Sequence, residues 1–157
     1  MQSEENSKER TVIGIDPGKS GGIAIINGKN ASMEKCPKEP IGMASIINSV
    51  RTTAYIEDFE IIACIEKVHA FPTDGRSSAF KFGMNYGMWI GILASFKIPV
   101  IKVTPQSWMK KYQPLPKVKQ ERKQRLKEIA QNLFPDNKIT LSTSDAVLIA
   151  EHCLNIN

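Results

Sequence analysis

The chain has 157 residues, of which 41% are hydrophobic and 24% are charged, as is ordinary for a soluble globular protein. No stretch approaches the roughly 18 apolar residues of a membrane-spanning helix, so we expect no membrane partner. The net charge of +5 suits a polyanionic partner without identifying one. The N-terminus is polar and acidic and lacks an apolar segment, which argues against a secretory signal. We expect a polar leader over residues 1–10, a single domain over residues 11–157, and an intracellular location in the cytoplasm, the nucleoid or an organelle.

The first half of the chain predicts three strands and a helix. An apolar, β-branched run at 11–16 predicts a buried strand, and a glycine-rich turn follows it. Residues 23–26 and 30–35 predict two more strands, joined by the hairpin signal Asn27-Gly28. Pro37 and Pro40 are expected to close this meander. Residues 41–55 have the three- and four-residue apolar spacing of an amphipathic helix.

The second half alternates strands and helices. Residues 61–65 are nearly all apolar and predict a strand covered on both faces, ending at Glu66. Helices are predicted at 78–96, from Thr104-Pro105, at 119–134 and at 142–154, with a fifth strand at 98–103. This order predicts a mixed α/β fold, in which a five-stranded mixed sheet begins with an antiparallel meander and carries helices on both faces.

Two of these helices have apolar stripes that predict their buried faces. On the basic helix the stripe is Leu126, Ile129, Ala130 and Leu133. On the long helix it is Met84, Met88, Trp89, Ile92 and Leu93. The long helix also repeats glycine every four residues, at Gly83, Gly87 and Gly91, so either core packing or a dimer seam fits it.

Three cysteines are spread along the chain without the paired spacing of a zinc site. We expect Cys36, Cys64 and Cys153 to be reduced, partly buried thiols without a metal or redox role.

Three acidic residues stand at the ends of predicted elements. Asp16 ends the first strand, Glu66 ends the fourth, and Asp145 lies in the first turn of the last helix. A buried carboxylate is costly unless it is paired or bound to metal. If strands one and four are neighbours, Asp16 and Glu66 lie side by side, and Asp145 could approach from a helix packed on the sheet. The alternative is that Asp16 caps a turn and Asp145 is an ordinary acid at a helix N-terminus.

A cluster of carboxylate oxygens suits Mg²⁺ or Mn²⁺ rather than zinc. Two such ions, about 4 Å apart, can activate a water and stabilise the leaving oxygen of a phosphodiester. The predicted cofactor is therefore Mg²⁺ or Mn²⁺, with two ions in each active site.

Basic residues are concentrated between positions 110 and 127, which hold eight of the 21 lysines and arginines. The usual interpretation is a solvated helix face, but this density also predicts contacts to DNA phosphates. The candidate DNA-binding residues in this segment are Lys110, Lys111, Lys117, Lys119, Arg122 and Lys123. Lys110 or Lys119 could also stabilise charge at a scissile phosphate.

The loop after the fourth strand adds two further candidates. His69 either supports the loop or faces DNA. Phe71 either stacks on an unpaired base or covers the core.

Five short motifs occur in order along residues 11–155: 12–18 (VIGIDPG), 65–69 (IEKVH), Ser77-Ser78 with a helix carrying Phe82-Gly83 and Tyr86-Gly87, 103–108 (VTPQSW) and 144–150 (SDAVLIA). Together they resemble the RuvC-type Holliday-junction resolvases of the ribonuclease H-like superfamily, in particular phage-type members. The resemblance implies a ribonuclease H-like fold, a homodimer, and a metal-dependent endonuclease that resolves four-way DNA junctions by paired phosphodiester hydrolysis. It also implies that Asp16, Glu66 and Asp145 are the catalytic, metal-binding acids.

One position departs from the family pattern. Such proteins usually carry a further Asp or His three or four residues before the last acid, where this chain has Ser142 and Leu141. His152 lies two helical turns after Asp145, roughly 10 Å away by helix rise. Two alternatives therefore stay open. One is a catalytically weak or inactive protein that binds branched DNA, and the other is a nuclease of this fold that acts on flaps or RNA–DNA hybrids.

Overall fold

The structure is a computed structural model that describes residues 9–28, 30–67, 69 and 71–156. The strands are β1 (Arg10–Asp16), β2 (Gly22–Asn27), β3 (Asn30–Lys35), β4 (Glu60–Glu66) and β5 (Val100–Val103). The helices are α1 (Pro40–Ile56), α2 (Arg76–Ser95), α3 (Pro105–Met109), α4 (Lys119–Leu133) and α5 (Ser144–Leu154), with a 3-10 turn at Lys110–Tyr112 after α3.

The five strands form one sheet in the order β3-β2-β1-β4-β5. The pairs β1–β2 and β2–β3 are antiparallel, whereas β1–β4 and β4–β5 are parallel. This topology confirms the predicted mixed sheet with its antiparallel meander. Its centre is β1, so the end of β1 is flanked by a hairpin partner on one side and a parallel strand on the other.

Helices cover both faces of the sheet, as predicted. Successive side chains of a strand point to opposite faces, and along β1 Val12 joins the core under α4 and α5 while Ile13 joins the core under α1 and α2. In β4, Cys64 and Ala63 divide between the same two cores. The predicted burial of β4 on both faces is therefore confirmed.

Helix α5 lies directly on β1 because Gly14 has no side chain. A Cβ at Gly14 would lie 2.2 Å from the carbonyl oxygen of Ala146 and 2.6 Å from the amide nitrogen of Ala150. Both are backbone atoms of α5, so the helix could not come this close to any other residue type. This close packing sets the position of the first turn of α5 over the sheet.

Several predicted boundaries are corrected by the structure. Arg10 belongs to β1 rather than to the leader, and its guanidinium donates to the carbonyl of Ile156 at 3.2 Å. Residues 1–8 of the predicted leader lie outside the described residues, and the Glu9 carbonyl accepts from the Glu60 amide at 3.0 Å. Pro40 begins α1 instead of closing the meander. Strand β5 starts at Val100 rather than at 98, because the Ile98 amide donates to the Leu93 carbonyl at the end of α2.

Two residues of the predicted apolar stripes are exposed. Leu126 and Ala130 of α4 are buried as expected, but Leu133 is 46% exposed, because it ends the helix and Phe134 packs on the core beside it. On α2, Trp89 is buried and Met84 is 51% exposed, since most residues in the first half of this helix are exposed.

The prediction of three reduced cysteines is wrong for two of them. Cys64 in β4 and Cys153 in α5 form a disulfide with their Cα atoms 6.5 Å apart, because α5 packs across β1 and β4. Cys36 is a free, buried thiol, as expected. Among the described residues, no helix is long and apolar enough to cross a membrane.

Candidate active site

Asp16 and Glu66 lie side by side because β1 and β4 are parallel neighbours. The register pairs Ile15 with Ile65, so the next residue of each strand is an acid at the same edge of the sheet. Asp145 reaches this edge from above, in the first turn of α5. The structure thus brings together the three acids that the sequence singled out.

Asp16 has the most strongly perturbed carboxyl group of the three. The pKa of Asp16 is raised from 3.8 to about 8, first by burial and then by the charges of Asp145 and Glu66, with Lys123 opposing them. Because nearby like charges disfavour ionisation, these effects show that the three carboxylates share one electrostatic environment.

Glu66 is oriented by a tryptophan. The indole Nε1–H of Trp108 donates to Glu66 Oε2 at 2.7 Å, and Trp108 itself is 1% exposed. Burial raises the pKa of Glu66, the Trp108 hydrogen bond lowers it, and Asp145 raises it. Trp108 reaches this position because Thr104 caps α3 by accepting from the Ser107 amide at 3.2 Å. The short helix therefore fixes one oxygen of Glu66 and leaves the other for a different partner.

One carboxylate oxygen of Asp145 accepts no hydrogen bond from the described residues. Its Oδ1 is buried and forms no hydrogen bond to a described residue. Burial raises the pKa of Asp145, while the charge of Lys123 is the largest influence lowering it, followed by Ser144 and Arg122. A buried, unpartnered carboxylate oxygen is costly unless a cation completes it.

Lys123 of α4 is the basic residue shared by the cluster. Its charge lowers the pKa of Asp16, of Glu66 and of Asp145. From the sequence, Lys123 was predicted only to contact DNA, and Lys110 or Lys119 was predicted to lie near the scissile phosphate. Lys123 could have been found by extending the buried stripe of α4 back one turn from Leu126, which gives Arg122 and Lys123 at the three- and four-residue spacing.

The carboxylate oxygens of the three acids are suitable ligands for a divalent cation, although the side chains do not form a complete coordination site. Within the described residues, no group of three or more His, Cys, Asp or Glu is arranged closely enough to hold a metal ion. The orphaned oxygen of Asp145 and the mutual destabilisation of the three charges nevertheless favour a hard cation among them. Asp16, Glu66 and Asp145 are the residues that would bind it.

No fourth acid completes the cluster from the positions before Asp145. Ser142 is partly buried and Leu141 is 49% exposed. His152, on the same helix, is partly buried, and burial lowers its pKa, with Glu151 and Lys111 as its charged neighbours. His152 therefore belongs to a different environment from the acids.

The candidate DNA-binding residues fall into two groups. Lys111 forms an ion pair with Glu151 of α5, 40 residues away, and Arg122 donates to the nearby carbonyl of Lys117 at 3.0 Å, so both also make contacts within the protein. Lys110, Lys117 and Lys119 are exposed. Lys110, Lys117 and Arg122 line a groove of about 360 Å³ between α3 and α4.

His69 and Phe71 are exposed in the loop after β4, where Val68 and Ala70 lie outside the described residues. The Phe71 amide donates to Asp74 Oδ2 at 2.8 Å, which orders the end of this loop. Phe71 is 64% exposed and does not cover the core. Contact of either residue with DNA stays a prediction.

The comparisons with known proteins agree with this architecture. Thermus thermophilus RuvC superposes on the chain with a TM-score of 0.58 at 17% identity, covering 90% of this chain and 92% of that one. A structure of T. thermophilus RuvC in complex with a Holliday junction substrate superposes with a TM-score of 0.57 at 14% identity, covering 91% of both chains. The chain has the RuvC fold. The predicted fold of RuvC type is therefore confirmed.

Neither a protein-family model nor a curated protein matches the sequence of the chain. The assignment of the RuvC fold therefore depends on the superposed structures, and the five short sequence motifs predict the same fold. The roles of individual residues rest on the geometry at the end of β1.

Proposed function

We propose that the protein is a divalent-metal-dependent endonuclease that resolves four-way DNA junctions by paired phosphodiester hydrolysis. The observation that carries the proposal is the convergence of Asp16, Glu66 and Asp145 from three elements, with Lys123 as their shared counter-charge. Three destabilised carboxylates are poor for stability and suited to binding hard cations.

When bound, two Mg²⁺ or Mn²⁺ ions would supply Lewis-acid stabilisation of the phosphate and a water of lowered pKa. The chain's own residues prepare for this chemistry. Trp108 holds one oxygen of Glu66 in place, and Asp145 keeps Oδ1 unpartnered. Lys123 offers a positive charge where a substrate phosphate would add negative charge.

Branched DNA is the proposed substrate. Support comes from the RuvC fold, which in T. thermophilus RuvC accommodates a Holliday junction substrate, and from the basic residues of the 3-10 turn and of α4. We propose phosphate contacts from Lys110, Lys111, Lys117, Lys119, Arg122 and Lys123, and contacts to DNA from His69 and Phe71 in the loop after β4.

A homodimer is also proposed, because paired cuts in a two-fold symmetric junction need two active sites. One face of α2 offers a surface for it. Phe80 is 72% exposed, and a Cβ at Gly83, Gly87 or Gly91 would meet nothing within 4 Å. A second backbone could therefore approach this face closely.

The second candidate function is a protein that binds branched DNA without cutting it. The observation favouring it is that Ser142 and Leu141 stand where a fourth ligand is usual and that the three acids do not form a finished cage. Cleavage by the parent separates the candidates, and Ser142→Asp tests whether the missing acid limits the rate, because it should raise the cleavage rate of a weak nuclease.

The test is incubation of the protein with a labelled synthetic four-way junction in Mg²⁺, Mn²⁺ or EDTA. We expect paired nicks in opposed strands that disappear with EDTA and with Asp16→Asn. The matched control is Asp136→Asn, an exposed acid in the loop after α4, which should cut normally. A junction that is bound but uncut by both the parent and Ser142→Asp would contradict the enzyme. Cleavage of flaps or RNA–DNA hybrids alone would support metal-dependent phosphodiester hydrolysis and contradict the four-way junction as the substrate.

A further inference from the structure

A second groove adjoins the acids on the other face of the sheet. It measures about 690 Å³ and lies between the turn after β1, the loop after β3 and the first half of α2. Its lining includes three apolar residues of α2, which are Phe82, Met84 and Met88. None of its lining residues was a candidate for DNA binding in the sequence.

Three lysines from three separate elements stand around this groove. Lys19 follows β1, Lys38 follows β3, and Lys81 lies on α2, and all three are exposed. None of them forms an ion pair with a described residue. Glu39 is the one acid among the described residues that line the groove. The groove therefore has a net positive charge, which favours binding of an anionic ligand.

The groove is tied to the active site by direct contacts. The Gly18 amide, two residues after Asp16, donates to Asn85 Oδ1 of α2 at 2.8 Å. Gly18 has a φ of +118°, and a Cβ there would lie 2.8 Å from the Phe82 ring. On the β3 side, the Cys36 thiol donates to the backbone oxygen of Asp16 at 3.4 Å. A strand leaving the acids on this face would enter the groove at once.

The two basic regions lie on opposite faces of the sheet. Lys123 belongs to α4, which packs with α5 on one face, whereas Lys19, Lys38 and Lys81 surround the groove on the α1 and α2 face. The acids lie between them, at the end of β1. A DNA strand that crosses the sheet edge at the acids would therefore meet lysines on both faces.

We infer that this groove binds the sugar–phosphate backbone of a DNA strand where it leaves the acids on the α1 and α2 face. The inference rests on the proposed function and names a contact surface for it. The three lysines neutralise phosphates, and the apolar lining of methionine and phenylalanine packs against deoxyribose. This strand contact is sequence-independent, because it reaches the backbone and not the base edges.

A second copy of the chain is a less suitable occupant. Residues of an α-helix are about 100° apart around its axis, so Asn85, in the groove, faces away from Gly83 and Gly87. The glycine face borders the groove at Met84, about 60° from Gly87 around the helix. The lysines distinguish the two surfaces, because three lysines of one copy would meet three lysines of another across a two-fold axis, whereas the glycine face is uncharged.

The experiment compares two triple variants with equal loss of charge. In the groove variant, Lys19→Gln, Lys38→Gln and Lys81→Gln remove the three lysines. In the control variant, Lys97→Asn, Lys102→Gln and Lys138→Gln remove three exposed lysines elsewhere, with Asn at position 97 because its φ is +56°. Binding of a fluorescent four-way junction is measured by anisotropy in EDTA over a series of salt concentrations.

We expect the groove variant to bind the junction at least about tenfold more weakly near 100 mM salt, with a salt-dependence slope smaller by about 2–3. The control variant should lose less than about threefold, with a slope changed by less than about 1. If the parent binds the junction and the two variants show the same affinity and salt slope, the proposed DNA contact in the groove is wrong and the proposed function stands. A parent that does not bind the junction would overturn the proposed function as well. An altered oligomeric mass of the groove variant, with an unchanged salt slope, would assign the groove to a second copy and also overturn the inference.

Discussion

At the scale of single residues, the orientation of Glu66 depends on the indole donor of Trp108. Trp108→Phe keeps a ring in the buried site and removes the N–H. Since loss of such an outer-shell hydrogen bond typically costs 10–100-fold in metal affinity or activity, we expect the Mg²⁺ concentration for half-maximal thermal stabilisation to rise about tenfold or more. The measurement is a Mg²⁺ titration of the melting temperature.

The matched control for Trp108→Phe is Tyr112→Phe. Tyr112 lies 6.5 Å from Trp108 between ring centroids, and its hydroxyl donates to Glu151, which is outside the acid cluster. This variant should leave the Mg²⁺ titration unchanged. An equal loss in both variants would mean that aromatic packing, and not the hydrogen bond to Glu66, governs cation binding.

The raised pKa of Asp16 predicts a pH-dependent stability. Because the pKa is about 8 in the folded protein against 3.8 ordinarily, the folded state holds a proton that the unfolded state releases, and the free energy of unfolding falls as pH rises from about 4 to about 8. Cation binding removes this penalty. We therefore expect Mg²⁺ to raise the melting temperature more at pH 8.5 than at pH 6, with Asp16→Asn abolishing the difference. A Mg²⁺ effect equal at both pH values would contradict the assignment.

At the scale of elements, the site depends on how closely α5 approaches β1. Gly14→Ala forces a methyl group onto backbone atoms of Ala146 and Ala150, which must move. We expect a loss of about 1–3 kcal/mol in the free energy of unfolding, measured by denaturant titration. Asp145 would shift with the helix, so stabilisation by Mg²⁺ should also weaken.

Asn132→Ala is the comparison of opposite sign. Asn132 is exposed in α4, outside the proposed dimer face, and alanine has the higher helix propensity, so stability should rise by up to about 1 kcal/mol. If Gly14→Ala were as stable as the parent, α5 would not be anchored through Gly14, and the placement of Asp145 would need another cause.

The elements also show which parts of the site could be predicted. Asp16 and Glu66 follow apolar runs that are strands in the structure, so local pattern placed them at strand ends. Lys123 was not distinguished from Lys110 and Lys119, because that choice depends on how α4 is rotated against α5. The donor role of Trp108 was equally hidden, since Glu66 lies 42 residues away along the chain.

Contacts between distant segments explain the remaining differences. Cys64 and Cys153 are 89 residues apart, and only the packing of α5 on β4 brings them together. Lys19, Lys38 and Lys81 are single lysines on three elements, whereas the cluster at 110–127 is visible as a local run. Local periodicity thus predicted the sheet and the acids, and long-range packing decided the pairings around them.

At the scale of the whole molecule, paired cleavage requires two active sites held by one dimer. A supercoiled plasmid that extrudes a four-way junction reports this directly, because two opposed cuts give linear DNA and one cut gives a nicked circle. If subunits of the parent and of Asp16→Asn are mixed equally and allowed to exchange, random assortment leaves half of the dimers with one active site. We expect nicked circles to accumulate in this mixture and linear DNA to dominate with the parent alone. Linear product that simply falls in proportion to the parent, without extra nicked circles, would contradict a dimer whose two sites act on one junction.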